Sequence, residues 1–261
     1  MKGKNAIVTG STQGIGETIS RKLISKGLSN LIICGRNYDK GNKLSKEFTG
    51  SGCNTVYVES DLSKIEDCTK IVDIAIKKFK KIDILVNSAG TTDRGTLIDT
   101  SHELFDKIFA INVRAPFFLM SGVVKNMISN NNSGTILNII SMSSHGGQPK
   151  LSAYSTSKGA LATLTKNAAF AYMRNNIRIN GLNIGWSDTP GEHKIQKERD
   201  NAPDDWLINA ENDQPLGRLI KPQEIAEVTE FMLSEKSGMM TGVIMDYDQS
   251  VHGANYTPPR P

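Results

Sequence analysis

Seven short apolar runs separated by stretches with helical spacing constrain this chain more than any other feature. They are AIVTG from Ala6, LIICG from Leu31, TVYVES from Thr55, IDILVNSAG from Ile82, GTILNIIS from Gly134, IRINGLNIG from Ile177 and GVIMDYD from Gly242. Several are apolar at consecutive positions, so both faces of the strand need cover. The intervening stretches supply that cover. Ile15, Ile19, Leu23 and Ile24 form one stripe after Gly14. A second helix is predicted from Ile65 to Lys80, on Cys68, Ile71, Val72, Ala75, Ile76 and Phe79, with lysines at its C-terminus. Further helices are predicted over 101–130, 153–175 and 221–234. The polar turn NNNSG (130–134) separates one of them from the next strand. Strand and helix alternating about six times predict a Rossmann-like, doubly wound parallel sheet of about seven strands with helices on both faces. No Pro/Gly-rich linker interrupts the pattern, so residues 1–261 are expected to form one domain. The least regular segment, 187–215, is polar and holds three prolines. A long connection of that kind reads as a substrate-side lid or as a surface insertion.

Composition narrows the classes of function. The chain has 261 residues, 38% of them hydrophobic and 22% charged, enough for a sizeable core. Its net charge of +4 comes from basic residues scattered among acids, with no stripe suited to nucleic acid. Cys34, Cys53 and Cys68 are odd in number and lack metal spacing, so they read as free thiols in a reducing compartment. MKGKNAIVTG has no apolar signal region, and no uninterrupted apolar run approaches membrane-spanning length. A soluble, cytoplasmic protein without a nucleic-acid or membrane partner is expected.

Chemistry-bearing residues cluster where strands end. TGSTQGIG (Thr9, Gly10, Ser11, Thr12, Gln13, Gly14, Ile15, Gly16) joins the first strand to the first helix. Gly10 can turn the chain at positive φ, Gly14 lets backbone approach a phosphate, and Gly16 lets helix and strand pack closely. The helix N-terminus would attract a pyrophosphate; a merely tight turn is the plainer alternative. The second strand ends Cys34-Gly35-Arg36-Asn37, with an arginine and no acid. Arginine suits a ribose 2′-phosphate, favouring NADP(H) and leaving NAD(H) possible. Asp61, followed by Leu62, could cap a helix before Ser63 or contact adenine. Asn87-Ser88-Ala89-Gly90 could admit a flat cofactor or simply turn. Asn112 is unusual in mid-helix, where it can kink the helix and free a carbonyl to hold water; such a residue is more often on the surface.

Ser141 is followed by Tyr154 and then Lys158, the last two at i and i+4 on one helical face. An ammonium beside a phenol favours the phenolate, and a serine can bond the same reacting oxygen, which equips the site for proton transfer at an alcohol. His145 makes no nucleophile elbow with Ser141 and reads as a pocket-lining or loop residue. His102, His193 and His252 form no metal-ligand pattern, and no metal is expected.

Together these residues resemble the short-chain dehydrogenase/reductase family over nearly the whole chain. TGxxxGxG corresponds to Thr9–Gly16, the NNAG motif to Asn87–Gly90, and an Asn–Ser–Tyr–Lys tetrad to Asn112, Ser141, Tyr154 and Lys158. The family's adenine-contacting Asp falls on Asp61, its Pro-Gly motif on Ile184-Gly185, and a nicotinamide-end contact on Thr189. Ser88 replaces an Asn, and Ile184 replaces a Pro, leaving a freer loop.

The resemblance implies NAD(P)-dependent hydride transfer between a secondary alcohol and a ketone. Tyr154 would be the general acid or base, Lys158 would hold the nicotinamide ribose and lower the Tyr154 pKa, Ser141 would orient the substrate oxygen, and Asn112 would anchor a water. Ser143, His145, Gln148, Trp186 and parts of 192–206 would line a polar pocket, suited to a sugar or polyol. A 3-oxoacyl-carrier-protein reductase and a non-catalytic dinucleotide-binding regulator are the competing readings. The family also implies a homotetramer, built on two long helices and a C-terminal segment that includes the tail 247–261.

Overall fold

The computed structural model describes residues 1–251. Strands β1 (Asn5–Val8), β2 (Asn30–Gly35), β3 (Asn54–Glu59), β4 (Ile84–Asn87), β5 (Gly134–Ile139), β6 (Ile177–Ile184) and β7 (Ile244–Tyr247) form one parallel sheet in the order 3-2-1-4-5-6-7. Helices α1 (Gly14–Ser25), α2 (Tyr38–Gly50), α3 (Ile65–Phe79), α4 (His102–Phe109), α5 (Ala115–Ser129), α6 (Ser152–Tyr172), α7 (Pro190–Glu198), α8 (Trp206–Asn212) and α9 (Pro222–Leu233) connect them. This is the Rossmann-like architecture that the strand–helix alternation predicts.

Alternating strand residues feed two cores, which is why the strands are apolar on both faces. Ala6, Val8, Leu31, Ile33, Ile84, Val86 and Leu137 face one side, with Ile19 and Leu23 of α1 and Ile225 and Met232 of α9. Ile7, Ile32, Leu85, Ile136 and Ile179 face the other, with Ile71 and Val72 of α3 and Leu119 and Val123 of α5. Each fully buried Ile or Leu contributes about 1.5–3 kcal/mol relative to exposure, so the two layers together hold the strand ends in fixed relative positions.

The strand order reverses between β1 and β4, and the loops that follow these two strands meet there. Thr9 Oγ1 accepts hydrogen bonds from the Ser88 and Ala89 amides, both at 3.1 Å. Gly10, at φ 62°, lies so close that a Cβ on it would sit 2.8 Å from Ala89 Cα. A crevice at the carboxyl ends of strands, beside such a reversal, is where open α/β sheets bind ligands.

Three parts of the fold differ from the sequence expectation. The helix predicted over 101–130 is divided by a π-helical turn at Ala110–Arg114. The run His102–Ser129 is also long and apolar enough, by length and composition, to cross a bilayer. Half of its apolar window is buried inside the protein, as in a core helix. The segment 187–215 is more ordered than its composition suggests, because it contains α7 and α8. Thr189 caps α7 by accepting from the Glu192 amide, and Trp206, Ala210 and Leu219 form a small core of their own. Finally, the first residues of the tail expected over 247–261 are tied into the fold. Tyr247 closes β7, Gln249 bonds the backbone at Leu216 and Arg218, and 252–261 lie outside the described residues.

Candidate active site

At the end of β1, α1 begins without a side-chain cap, so its first N–H groups are available to a ligand. Gly14 has φ 55° and nothing within 4 Å of where a Cβ would be, while a Cβ on Gly16 would meet Gly10 O at 2.5 Å. The loop therefore places Gly14 against open space and presses Gly16 against the strand end. Ser11 and Thr12 are buried beneath it: Ser11 Oγ accepts from Cys34 N at 2.9 Å, and Thr12 fills the space that a side chain on Gly35 would need. Gln13 and Ile15 flank the helix start.

Arg36 is exposed just past β2, close enough to Asp61 to help hold that carboxyl below its usual range. The larger cause of the Asp61 shift is the hydrogen bond from Ser63 N, at 3.0 Å. Asp61 thus closes a turn containing Leu62, and it is not the N-cap of α3, a position held by Lys64. After β4, Asn87 donates to Asn138 Oδ1 at 2.8 Å, yet Asn87 Oδ1 and Ser88 Oγ are buried without partners. Free helix amides, an open Gly14 and two orphaned polar atoms along this crevice fit a bound dinucleotide, whose amide and hydroxyl groups could satisfy them.

The four tetrad positions come together at the carboxyl end of the sheet. Asn112 lies in the π turn, fully buried. Its Oδ1 accepts from Thr91 N at 2.9 Å, and its Nδ2 donates to Thr91 O and Ser157 Oγ, both at 3.0 Å. Both amide donors are spent on protein, so water held here would be held by main chain rather than by this side chain. Lys158 Nζ donates to Ile139 O at 2.9 Å. A Cβ on Gly90 would stand 3.4 Å from Asn112 Oδ1 and 3.5 Å from Lys158 Nζ, so Gly90 keeps the space between them open. Lys158 Nζ is 5.8 Å from the centre of the Tyr154 ring.

Electrostatics depart from the expectation that Lys158 depresses the Tyr154 pKa. Burial pushes the phenol up to about 12, opposed by a hydrogen bond with Ser141; Glu192 raises it and Arg94 lowers it further. Burial likewise pushes Lys158 down to about 8. Taking both groups out of water outweighs their mutual effect.

Ser141 caps a short 3₁₀ turn over Met142–His145. Its Oγ donates to Ser143 Oγ at 3.2 Å, and Ser143 donates to Gln148 Oε1 at 2.5 Å, so Gln148 and Ser143 brace the serine. His145, expected to line the pocket or sit in a loop, ends that 3₁₀ turn. Its Nε2 lies 3.0 Å from both carboxylate oxygens of Asp246 on β7 and 3.3 Å from Asn183 Nδ2. Trp186 is partly exposed beside the crevice. A Cβ on Gly185 would collide with Asp248, so packing alone accounts for that glycine.

Sequence reasoning missed Asn138, which accepts from Asn87 and donates to Thr165 Oγ1 at 2.8 Å, and it missed Ser157, Asp93 and Arg94. A polar Asn within an apolar strand was a usable signal for Asn138. Arg94 offered none, and Glu192, within the stretch expected to line the pocket, gave no sign of its pairing with Arg94. Among the described residues no group of His, Cys, Asp and Glu could hold a metal ion.

Known proteins resemble this chain throughout its length. The model of the short chain dehydrogenase family matches residues 4–200. An uncharacterised oxidoreductase of Thermotoga maritima is 32% identical over 247 residues, 95% of this chain and 96% of its own. L-sorbose reductase from Gluconobacter frateurii, in complex with NADPH and L-sorbose, superposes with a TM-score of 0.89 at 25% identity, covering 97% of this chain and 98% of that one. An NAD⁺-bound xylitol dehydrogenase superposes with a TM-score of 0.88 at 28% identity, covering 95% and 99%. Relatives at 30% identity include an NADP-dependent (R)-specific alcohol dehydrogenase of Lentilactobacillus kefiri and a 3-oxoacyl-[acyl-carrier-protein] reductase of Chlamydia pneumoniae. The chain belongs to the short-chain dehydrogenase family.

Proposed function

We propose that this oxidoreductase interconverts a ketone and a secondary alcohol on a small polar substrate of the sugar or polyol kind, with NADP(H) preferred. The observation that carries the reading is the convergence of Asn112, Ser141, Tyr154 and Lys158 beside the glycine loop. A bound nicotinamide dinucleotide supplies the hydride donor or acceptor. With its phenol near 12, Tyr154 is protonated at neutral pH and is poised to donate a proton to a carbonyl oxygen, the reducing direction. Ser141 Oγ, braced by Ser143 and Gln148, orients that oxygen. Lys158 would hold a ribose hydroxyl of the dinucleotide, and Asn112 fixes Thr91 and, through it, the loop after β4.

The cofactor preference is supported by Arg36 at the end of β2, which suits a 2′-phosphate, with no acid there. The polar substrate is supported by Gln148, Trp186 and the charged residues of α7, and by the likeness to L-sorbose reductase and xylitol dehydrogenase. A 3-oxoacyl-carrier-protein reductase is the second reading, favoured by the Chlamydia pneumoniae relative. We further propose a cytoplasmic homotetramer with no nucleic-acid or membrane partner, supported by three buried free thiols and by exposed Phe117, Phe118 and Phe170 on α5 and α6.

A dehydrogenase and reductase screen of sugars, polyols, hydroxy acids and 3-oxoacyl thioesters, with NADP(H) and NAD(H) side by side, tests these assignments. Tyr154→Phe is expected to lower kcat by roughly 10³-fold or more while cofactor binding, read by NADPH fluorescence, stays within about threefold. Turnover close to wild type in that variant would sink the role of Tyr154, and a clear NAD preference would sink that of Arg36.

A further inference from the structure

Three segments far apart in sequence build the wall of the crevice beside Tyr154. Backbone hydrogen bonds from Gly95 N to Lys150 O (2.9 Å) and from Ser152 N to Gly95 O (3.1 Å) hold the loop after β4 against the stretch that leads into Tyr154. Arg94 leaves from that loop. On the other side α7 presents Glu192, whose Oε1 lies 3.9 Å from Arg94 Nη2. Trp186, directly after β6, donates its indole N–H to the same Oε1 at 2.9 Å, and Gln196 Nε2 donates to it at 2.8 Å. The indole is stacked on Trp206, with ring centroids 6.2 Å apart, and so is fixed in orientation.

All three contacts to Glu192 fall on one carboxylate oxygen. Arg94 meanwhile spends Nε and Nη2 on Asp200, at 3.4 and 2.8 Å. Among the described residues, Glu192 Oε2 accepts no hydrogen bond and Arg94 Nη1 donates none. An acceptor and a donor, both charged, are therefore left open side by side. The side chains are only 16% and 28% exposed, so water screens them weakly. Both groups also act on the charge state of Tyr154, which places them at the same space.

We propose that Glu192 and Arg94, with the face of Trp186, recognise hydroxyl groups on carbons adjacent to the reacting one and so select neutral polyhydroxylated substrates. A vicinal diol offers what the pair lacks, one O–H for Oε2 and one oxygen for Nη1, each a charge-assisted hydrogen bond. A simple ketone would bury both groups and pair neither, the situation in which polar sites discriminate most strongly. A substrate carboxylate gains little here, since Arg94 is already paired with Asp200 and Glu192 would repel it.

The inference rests on the oxidoreductase reading for its kinetic readout, and a binding measurement keeps the two apart. Erythrulose and butan-2-one share a carbon skeleton and differ in hydroxyls. The wild type should favour erythrulose in kcat/KM by about 100-fold or more, and Glu192→Ala should reduce that ratio at least ~10-fold, chiefly through KM. Glu192→Gln, which keeps an acceptor for Trp186, should recover part of it. In parallel, ligand-observed NMR should detect erythritol on the wild-type protein and weaker or no binding to Glu192→Ala. If the wild type turns over neither ketone but binds erythritol through Glu192, the subsite stands and the reaction assignment fails. If both ketones are reduced and Glu192→Ala slows them equally, the subsite fails and the reaction stands. An unchanged preference in both Glu192 variants also overturns the proposal.

Discussion

Lys158 shows how the site sets its own chemistry one residue at a time. Its ammonium is buried, donates a hydrogen bond to the Ile139 carbonyl, and is pushed down to about 8. In the unfolded chain the same group would titrate near its ordinary 10.5. Below about pH 8 the native state therefore carries the full penalty of a buried charge, and that penalty is relieved as the pH rises toward 10.5. From about pH 7 to about pH 9.5 the relief is roughly 2 kcal/mol. Lys158→Met, which has no charge to lose, should lack this gain, so wild-type melting temperature should rise relative to the variant by about 4 °C or more over that range. A constant gap would show that the ammonium is better solvated than its burial implies. Tyr154 runs in the opposite sense. With its phenol raised to about 12, it takes stability away only above its ordinary 10, beyond the window of that experiment. Asn112 is legible in the sequence as an oddity, but its role is decided by Thr91 and Ser157, residues brought to it only by the π turn and by α6.

At the scale of elements, the segment between β6 and α9 departs furthest from its composition. Its two helices are short, and their order comes from clamps at the base. Lys221, at the start of α9, bonds Asp188 at one end of the segment and Glu211 at the other, both at 2.9 Å. His193 bonds Asp188 at 2.7 Å, while Asp93, after β4, pairs with Arg199 at 2.7 Å. Half-exposed pairs of this kind each contribute little, but Lys221 joins two chain positions that the peptide link leaves far apart. Lys221→Ala should leave global stability nearly unchanged while trypsin cleaves α7, after Lys194, Lys197 or Arg199, roughly fivefold faster. An unaltered digestion rate would mean that the small core around Trp206 holds the segment alone. Helix α2 teaches the same lesson from the opposite direction. Only Leu44 and Phe48 mark its buried face, and Gly41 is forced by the Tyr57 ring 2.1 Å from where its Cβ would be. That contact lies across β3 and is invisible in a local window.

Over the whole molecule, the two hydrophobic layers account for the sheet, but they leave the outer faces of α5 and α6 partly uncovered. Phe170 is 78% exposed, and Phe117 and Phe118 lie open on α5, beside a groove that also involves Phe109 and Arg114. Exposed aromatic side chains of this sort are what the proposed tetramer would cover. Gel filtration with light scattering should give a mass near four times 28.5 kDa for the wild type, and Phe170→Glu with Phe117→Glu should shift it to a smaller species. A monomeric wild type would count against the tetramer.

Local sequence determined the strand–helix alternation, the glycine turn after β1 and the i, i+4 pairing of Tyr154 with Lys158, because each depends on residues within a few positions of one another. The family likeness followed from the order of those motifs. Only the tertiary structure decided that Asn112 is saturated by protein, that His145 turns toward Asp246, that burial raises Tyr154 instead of Lys158 lowering it, and that Arg94 meets Glu192. Those outcomes depend on desolvation and on contacts between distant segments, and both are properties of the packed chain that no stretch of residues carries by itself.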